Sequence, residues 1–207
     1  MKVNPIPPDK IEPILNSRAF ALIGEARRNR AILVMQLCLG PRIHELLALS
    51  VGAVITESGE LRAKCHFGKT KTGAPRDIDM NNPLLLHHLW AWIERLDQIK
   101  MLAADRPLFP GCRGKSALSR SQVYRIYRAA FAELGLKNLG THSARKTWAC
   151  ATYDFWLGEQ VKGRHVDPLV MTQKLGGWRS MESCARYLGF DEWMGRESQF
   201  NLYRRIS

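Results

Sequence analysis

Apolar residues recur every three to four positions along most of the chain. Residues 17–39, 83–102 and 121–134 each carry such a stripe, and in the first of these stretches basic residues are expected on the opposite side. Ser119 precedes the last of these stretches, and serine is a preferred residue type at a helix N-terminus. The spacing is that of amphipathic helices and predicts a mainly α-helical chain.

One stretch has a different pattern. Residues 61–67 and 75–80 have strand character, and the residues between them include the turn signal Thr72-Gly73. We predict a hairpin with a basic tip. The expected fold class is therefore mainly α with a small antiparallel β-sheet (α+β).

Gly40 and Pro41 interrupt the helical pattern. Proline is well suited to the first position of a helix, so we predict a helix from Pro41 to about Leu49. Arg42 then lies in a first turn, beside backbone N–H groups that favour anions.

The chain contains no internal repeat and no convincing interior linker. We expect one domain over residues 1–207, with an extended N-terminal arm at 1–8. Residues 158–167 are polar and are predicted to form a loop. Residues 190–207 are predicted to form a C-terminal tail or helix.

The charge balance points to a polyanionic partner. The formal net charge is +12 at pH 7, and nucleic acid is the first candidate for such a surplus. A merely soluble basic protein is the alternative. A membrane surface fits less well, because no segment is both strongly amphipathic and rich in lysine.

The five cysteines are scattered, without CxxC pairs or clusters at metal-ligand spacing. A zinc site is therefore not expected. Free thiols of this kind are typical of a reducing compartment, which favours an intracellular, cytoplasmic location. No apolar run approaches transmembrane length.

The segment 181–188 contains a candidate nucleophile. Met181, Cys184 and Leu188 share an apolar helical face, and Tyr187 lies beside that face, with Arg179 and Arg186 nearby in the sequence. A phenol with a pKa near ~10 is a weak nucleophile at pH 7 unless cations or a base assist it. Taken alone, Tyr187 is an ordinary half-buried tyrosine.

Several other residues could complete a site around it. Each has a plain alternative: a pair with Glu45 for the first arginine, a solvated turn for the lysine, a helix cap for the histidine and core packing for the tryptophan. Together they supply the donors and proton carriers of a phosphodiester site. These residues are Arg42, Lys71, His142, Arg145, Trp178 and Tyr187.

Five short motifs, taken in order, resemble those of the tyrosine recombinases, the lambda integrase family. They are Leu39-Gly40-Pro41-Arg42-Ile43-His44-Glu45-Leu46, Lys69-Thr70-Lys71-Thr72-Gly73 with Arg76, Leu108-Phe109-Pro110, Thr141-His142-Ser143-Ala144-Arg145, and Leu175 through Tyr187. Trp178 stands where many members have histidine. The nine-residue interval from Trp178 to Tyr187 is kept, and the resemblance spans most of the chain.

The resemblance implies DNA cleavage and rejoining through a covalent intermediate. Tyr187 would attack a DNA phosphate, become joined to the 3′ phosphate and release a 5′ hydroxyl. Arg42 and Arg145 would bind the non-bridging oxygens. Neither a metal nor a nucleotide cofactor is expected, because the phosphotyrosine bond conserves the energy of the broken linkage.

The remaining roles are also implied by the resemblance. His142 would accept the phenolic proton, Trp178 would donate its indole N–H to the phosphate, and Glu45 would orient its neighbours. Lys71 would protonate the leaving oxygen, with Lys69 as the competing candidate.

The implied partners are double-stranded DNA, further copies of the chain in a tetrameric synapse and a possible accessory protein. The family's N-terminal core-binding domain is not expected within these residues, either because this is a small form or because the chain belongs to a longer protein.

Two functions are alternatives to recombination: DNA relaxation of the type IB topoisomerase kind, and that of a non-catalytic DNA-binding module. The basic residues predicted to contact DNA are Lys69, Arg76, Arg113, Lys115, Arg120, Lys146 and Arg179.

Overall fold

A computed structural model of the chain describes residues 3–68, 73–111, 114 and 116–190. The predicted class, mainly helical with a small antiparallel sheet, is confirmed. The helices of the described residues are α1 (Pro8–Leu15), α2 (Arg18–Leu22), α3 (Ala26–Leu39), α4 (Ile43–Leu47), α5 (Pro83–Gln98), α6 (Arg120–Glu133), α7 (Thr141–Val161), α8 (Pro168–Gly176) and α9 (Met181–Leu188). The strands are β1 (Lys64–Phe67) and β2 (Arg76–Asp79).

The two strands form the predicted hairpin, shorter than expected at both outer ends. They pair antiparallel, with Lys64 opposite Asp79 and Phe67 opposite Arg76. Burial alternates along both strands, as the period-two arrangement of side chains requires. Phe67 and Arg76 therefore face the same side, toward the interior.

The predicted helix over 17–39 is wrong in one respect, because the structure divides it. α2 ends at Leu22, and α3 begins at Ala26 after Gly24, whose φ is +89°. The buried Asn29 amide donates to the carbonyls of Phe20 and Ile23, at 2.9 Å each. These bonds satisfy carbonyls at the end of α2 and stabilise the break.

Two other predicted boundaries also need correction. α4 begins at Ile43, so Arg42 precedes the helix instead of lying in its first turn. α7 continues through Gly158 to Val161, so the expected loop over 158–167 is confined to residues 162–167. A glycine inside a helix costs only about 1 kcal/mol relative to alanine, which did not end this 21-residue helix.

The main core surrounds α3, which packs against α5 and α7. A second, smaller apolar cluster joins α7 to the C-terminal segments and consists of Trp148, Ala149, Trp178 and Cys184. Within the described ranges, no helix is both long enough and apolar enough to cross a bilayer.

A buried amide joins the two motifs that carry the arginines. Gln36 is fully buried, and its Nε2 donates to the carbonyls of Pro41 at 3.4 Å and Thr141 at 3.2 Å. Its Oε1 accepts a bond from the Tyr127 hydroxyl at 2.9 Å. Pro41 and Thr141 directly precede Arg42 and His142, so this network fixes the start of one motif against the other.

Replacing Tyr127 with phenylalanine is expected to lower the free energy of unfolding by about 1–3 kcal/mol, because the buried Gln36 Oε1 loses its donor. Urea denaturation measures the loss. Tyr124→Phe is the matched control, since Tyr124 lies on the same helix and is 49% exposed. Equal stabilities of the two variants would contradict the role given to Gln36.

Candidate active site

The Glu45 carboxylate lies at the centre of three arginines. Its Oε2 accepts from the backbone N–H of Arg42 at 2.7 Å and from Arg76 Nη2 at 2.8 Å. Its Oε1 accepts from Arg42 Nη1 at 3.2 Å and from Arg76 Nη1 at 3.3 Å. Arg145 Nη1 is 3.9 Å from Oε2. Arginines from three distant parts of the sequence therefore meet at one carboxylate.

The charge of Glu45 is maintained by these contacts. Burial alone would raise its pKa, but the hydrogen bonds and charge of Arg76, the backbone N–H of Arg42 and the charge of Arg145 together lower the pKa to about 2. Three cations and one anion leave a net charge of +2 on the group, by 3 − 1. A phosphate approaching this group would meet a positive field.

Arg145 is held almost entirely inside the protein, with its side chain 1% exposed. Its Nη1 donates to the Gly40 carbonyl and its Nη2 to the Gly176 carbonyl at 2.7 Å. Its guanidinium carbon lies 4.3 Å from the centre of the Trp178 ring. Burial, followed by the charge of Arg42, lowers the pKa of Arg145 to about 10, so the side chain remains a cation at pH 7.

Both carbonyls that hold Arg145 belong to glycines. Any other residue at either position would require the neighbouring tryptophan ring to move. A Cβ at Gly40, where φ is +63°, would lie 2.2 Å from the Trp148 ring. A Cβ at Gly176 would lie 1.8 Å from the Trp178 ring. The two indoles, 6.3 Å apart and nearly parallel, therefore pack directly on the glycine backbone beside Arg145.

Tyr187 lies on α9, which Ser180 caps by accepting from the backbone N–H of Ser183. Its ring centre is 5.2 Å from that of Trp178 and 5.9 Å from the guanidinium carbon of Arg145. Its hydroxyl donates to the backbone carbonyl of His142 at 3.1 Å. Burial raises the pKa of Tyr187 to about 12, against the opposing charges of Arg145 and Arg42, so the phenol is protonated at neutral pH.

The apolar face predicted for this helix is only partly right. Cys184 is fully buried, whereas Met181 is 45% exposed. Helical spacing identifies a face, but the first turn of α9 extends beyond the surface on which that face packs.

His142 lies in the first turn of α7 with its side chain at the surface. Partial desolvation, and then the charges of Arg145 and Arg42, lower its pKa below the ordinary value of 6.5. The imidazole is therefore neutral at pH 7 and able to accept a proton. In this structure the Tyr187 hydroxyl donates to the backbone carbonyl of the same residue, His142.

A cleft of about 560 Å³ opens beside Arg42 and His142. Arg120, one of the predicted DNA contacts, lines it together with residues that were not identified from the sequence. These residues include His44, Tyr124 and Arg125. Tyr124 and Arg125 lie on α6, and the polar face of that helix was the sequence signal that could have identified them.

The other predicted site residues fall into three groups. Lys69, Lys71, Arg113 and Lys115 lie outside the described residues. Lys146 is half-buried on α7, and Arg179 is exposed ahead of α9. Arg76, expected at the hairpin tip as a DNA contact, is instead buried at the start of β2.

Solved structures show the same fold at low sequence identity. The XerA recombinase matches with a TM-score of 0.64 and 19% identity over 91% of this chain and 60% of that chain. The post-cleavage complex of XerH site-specific recombinase with a palindromic difH substrate matches at 0.64 and 21%, over 95% and 52%. A lambda integrase dimer bound to a COC′ core site matches at 0.61 and 18%, over 91% and 49%. The chain thus spans about half to three fifths of these proteins.

Sequence comparison agrees with the structural matches. The chain is 28% identical over 173 residues to the probable integrase/recombinase YoeC of Bacillus subtilis (strain 168), covering 83% of this chain and 82% of YoeC. The model of the phage integrase family matches residues 9–192. The chain therefore belongs to the phage integrase family, the tyrosine recombinases that its motifs resemble.

Proposed function

We propose that this protein is a site-specific DNA recombinase that cleaves and rejoins DNA through a 3′-phosphotyrosyl intermediate. The observation that carries the proposal is the meeting of Arg42, Arg145 and the Tyr187 ring at one place, although they are far apart in the sequence. A phenol can act as the nucleophile in an in-line attack on a phosphodiester, and two guanidiniums can stabilise the charge that develops on its non-bridging oxygens.

Residues of the chain supply the nucleophile, the proton acceptor and the proton donor of the reaction. The Tyr187 oxygen attacks phosphorus, and the bond from phosphorus to the 5′ oxygen breaks. The phenolic proton passes to the neutral imidazole of His142, and Lys71 gives a proton to the leaving 5′ oxygen. The reverse reaction, with a 5′ hydroxyl as nucleophile, reseals a DNA strand.

The contacts of Tyr187 imply a rearrangement before cleavage. Its hydroxyl is bonded to the His142 carbonyl, and the side chain of Arg145 is 1% exposed. The scissile phosphate can reach Arg145 only when the rings that cover it move. DNA binding would thus draw the hydroxyl from the carbonyl toward phosphorus, with Arg42 and Arg145 stabilising the charge that develops on the non-bridging oxygens.

Double-stranded DNA is the proposed partner. Several copies of the chain would assemble on it as a tetrameric synapse, together with an accessory protein. The cleft beside Arg42, the positive charge around Glu45 and the net charge of +12 support DNA binding. XerH bound to difH and the lambda integrase dimer on its core site are similar proteins in complex with DNA. Residues 1–207 would act as one catalytic domain in this assembly.

Trapping the covalent intermediate tests the proposal. Genomic DNA fragments are incubated with the protein, and denaturant-resistant complexes are recovered and sequenced to find the cleaved site. A duplex of that sequence with a nick beside the scissile phosphate then loses a short fragment on cleavage and cannot reseal. We expect an adduct that carries the 3′-phosphate side of the break. Absence of any adduct contradicts the proposal, and relaxation of plasmids that lack the site would favour a topoisomerase.

The rate of adduct formation is expected to fall on the acid side of neutrality. His142 must be neutral to accept the proton, and its pKa lies below 6.5, so the midpoint of the fall should lie below that pH. Tyr187 stays protonated up to a pKa of about 12, so its own ionisation gives no midpoint near neutrality. The measurement is single-turnover cleavage at DNA concentrations well below saturation, where the pH dependence reports the pKa of the protein without DNA.

Variants assign the midpoint to a residue. His142→Gln should be slower and should lose the acid-side fall. His87→Gln, on α5, is the matched control and should keep the fall. An unchanged midpoint in the His142 variant would contradict the assignment.

A further inference from the structure

We propose that Arg76 is a positioning residue for the cleavage reaction, which it supports by holding the Glu45 carboxylate and thereby the clamp of Arg42 and Arg145. The inference rests on the proposed recombinase function. It replaces the expectation from the sequence that Arg76 contacts DNA.

The contacts of Arg76 are those of a buried two-point salt bridge. Its terminal nitrogens donate to the two oxygens of Glu45, at 3.3 and 2.8 Å. The side chains of Arg76 and Glu45 are 4% and 2% exposed. The guanidinium carbon lies 4.8 Å from the centre of the Phe67 ring, its cross-strand partner. Such a guanidinium cannot reach a DNA phosphate without giving up its carboxylate.

The residues just before Arg76 join the hairpin to the segment that leads to Tyr187. The backbone N–H of Ala74 donates to the Gly177 carbonyl at 3.2 Å, and Gly73 pairs with Trp178 in an isolated β-bridge. A Cβ at Gly177, where φ is +65°, would lie 2.9 Å from Arg76 Nη1. The Arg76 side chain therefore packs against the backbone of the 176–178 turn.

Charge accounts for the effect on the clamp. With Arg76 present, each oxygen of Glu45 accepts from both Arg42 and Arg76, and Arg145 Nη1 stays 3.9 Å away. Without Arg76, the buried carboxylate would have only Arg42 and Arg145 to compensate it. The net charge of the group would fall from +2 to +1, by 2 − 1, and both clamp arginines would be drawn toward Glu45 and away from the phosphate.

The test compares Arg76→Lys and Arg76→Met with the wild type on the nicked duplex. Methionine keeps the packing on Phe67 but loses both hydrogen bonds. Lysine keeps the charge but offers a single nitrogen in place of a planar fork. We expect cleavage at saturating DNA to be about 100-fold slower for methionine, the scale of a 1 Å misplacement at a reacting centre, and about tenfold slower for lysine. DNA affinity should fall far less than the cleavage rate and should keep the salt dependence of the wild type, because Arg76 itself contacts no phosphate.

The leaving group separates positioning of the clamp from positioning of Lys71, which the same hairpin carries. A duplex with sulfur in place of the bridging 5′ oxygen releases a thiol, whose pKa near ~8.5 removes the need for a general acid. We expect both Arg76 variants to remain slow on this substrate relative to the wild type.

Several results would overturn the inference. Restoration of the rate by the 5′-thiol leaving group would show that Arg76 acts through the acid. A weaker affinity with a shallower salt dependence would show a DNA contact. Wild-type cleavage by folded Arg76→Lys and Arg76→Met would show a structural role alone. Failure of the wild type to form an adduct would instead count against the proposed function.

Discussion

Replacement of Tyr187 by phenylalanine is expected to abolish the covalent protein–DNA adduct while leaving folding and DNA binding nearly unchanged. The ring packs against Trp178, and phenylalanine keeps that packing. The hydroxyl contributes a hydrogen bond to the His142 carbonyl at 3.1 Å, which is worth about 0.5–1.5 kcal/mol. The phenol oxygen is the attacking atom, so its removal eliminates the first chemical step.

A denaturing gel of the protein with the nicked duplex measures the adduct, and a binding titration shows that the variant still binds DNA. Tyr153→Phe is the matched control, because Tyr153 is another half-buried tyrosine, on α7, whose ring contacts Phe190. The control should form the adduct at the wild-type rate. Adduct formation by Tyr187→Phe would remove Tyr187 as nucleophile.

Replacement of Glu45 by glutamine is expected to lower the free energy of unfolding by about 3–5 kcal/mol, the usual cost of breaking a buried ion pair by removing one partner. Glutamine has nearly the same shape but no charge, so Arg76 and Arg145, with side chains 4% and 1% exposed, would remain cationic without their compensating anion. Urea denaturation at pH 7 measures the loss. Glu57→Gln, at an exposed position, is the control and should change stability by less than about 0.5 kcal/mol.

Acid provides a second measurement of the same group. The pKa of Glu45 is about 2 in the folded protein and 4.5 in the unfolded chain. The stability that its ionisation contributes is therefore fully present above pH 4.5 and is lost as the pH falls toward 2. The wild type should lose stability relative to Glu45→Gln across this window. Parallel stability curves for the two proteins would show that Glu45 has an ordinary pKa.

The sequence was sufficient for much of the fold, because the informative features were local. Helical spacing and the cap at Ser119 predicted α6, and the structure shows the Ser119 and Gln122 side chains bonded to each other's backbone N–H groups. The break at Gly24 was missed because it depends on the buried Asn29 side chain turning back to the carbonyls that end α2, which helical spacing does not reveal. Gly158 misled in the opposite direction, since a single glycine does not end a long helix.

Arg76 illustrates a local signal that was present but outweighed by charge. It precedes Ile78 by two residues on β2, so the period-two pattern places both on the interior face, as their burial shows. The bond from Tyr187 to the His142 carbonyl spans 45 residues. Such contacts depend on the packing of α9 against α7 and on the glycines under the two indoles, which no local pattern specifies.

Peptide mapping of the trapped adduct is the most direct test of the central claim, that a phenol beside two guanidiniums attacks a DNA phosphate. The adduct is digested with nuclease and protease, and the peptide that retains a nucleotide is sequenced by mass spectrometry. A 3′-nucleotide joined through phosphate to Tyr187 is the predicted result. A nucleotide on another residue, such as Tyr124 or Tyr153, would contradict it.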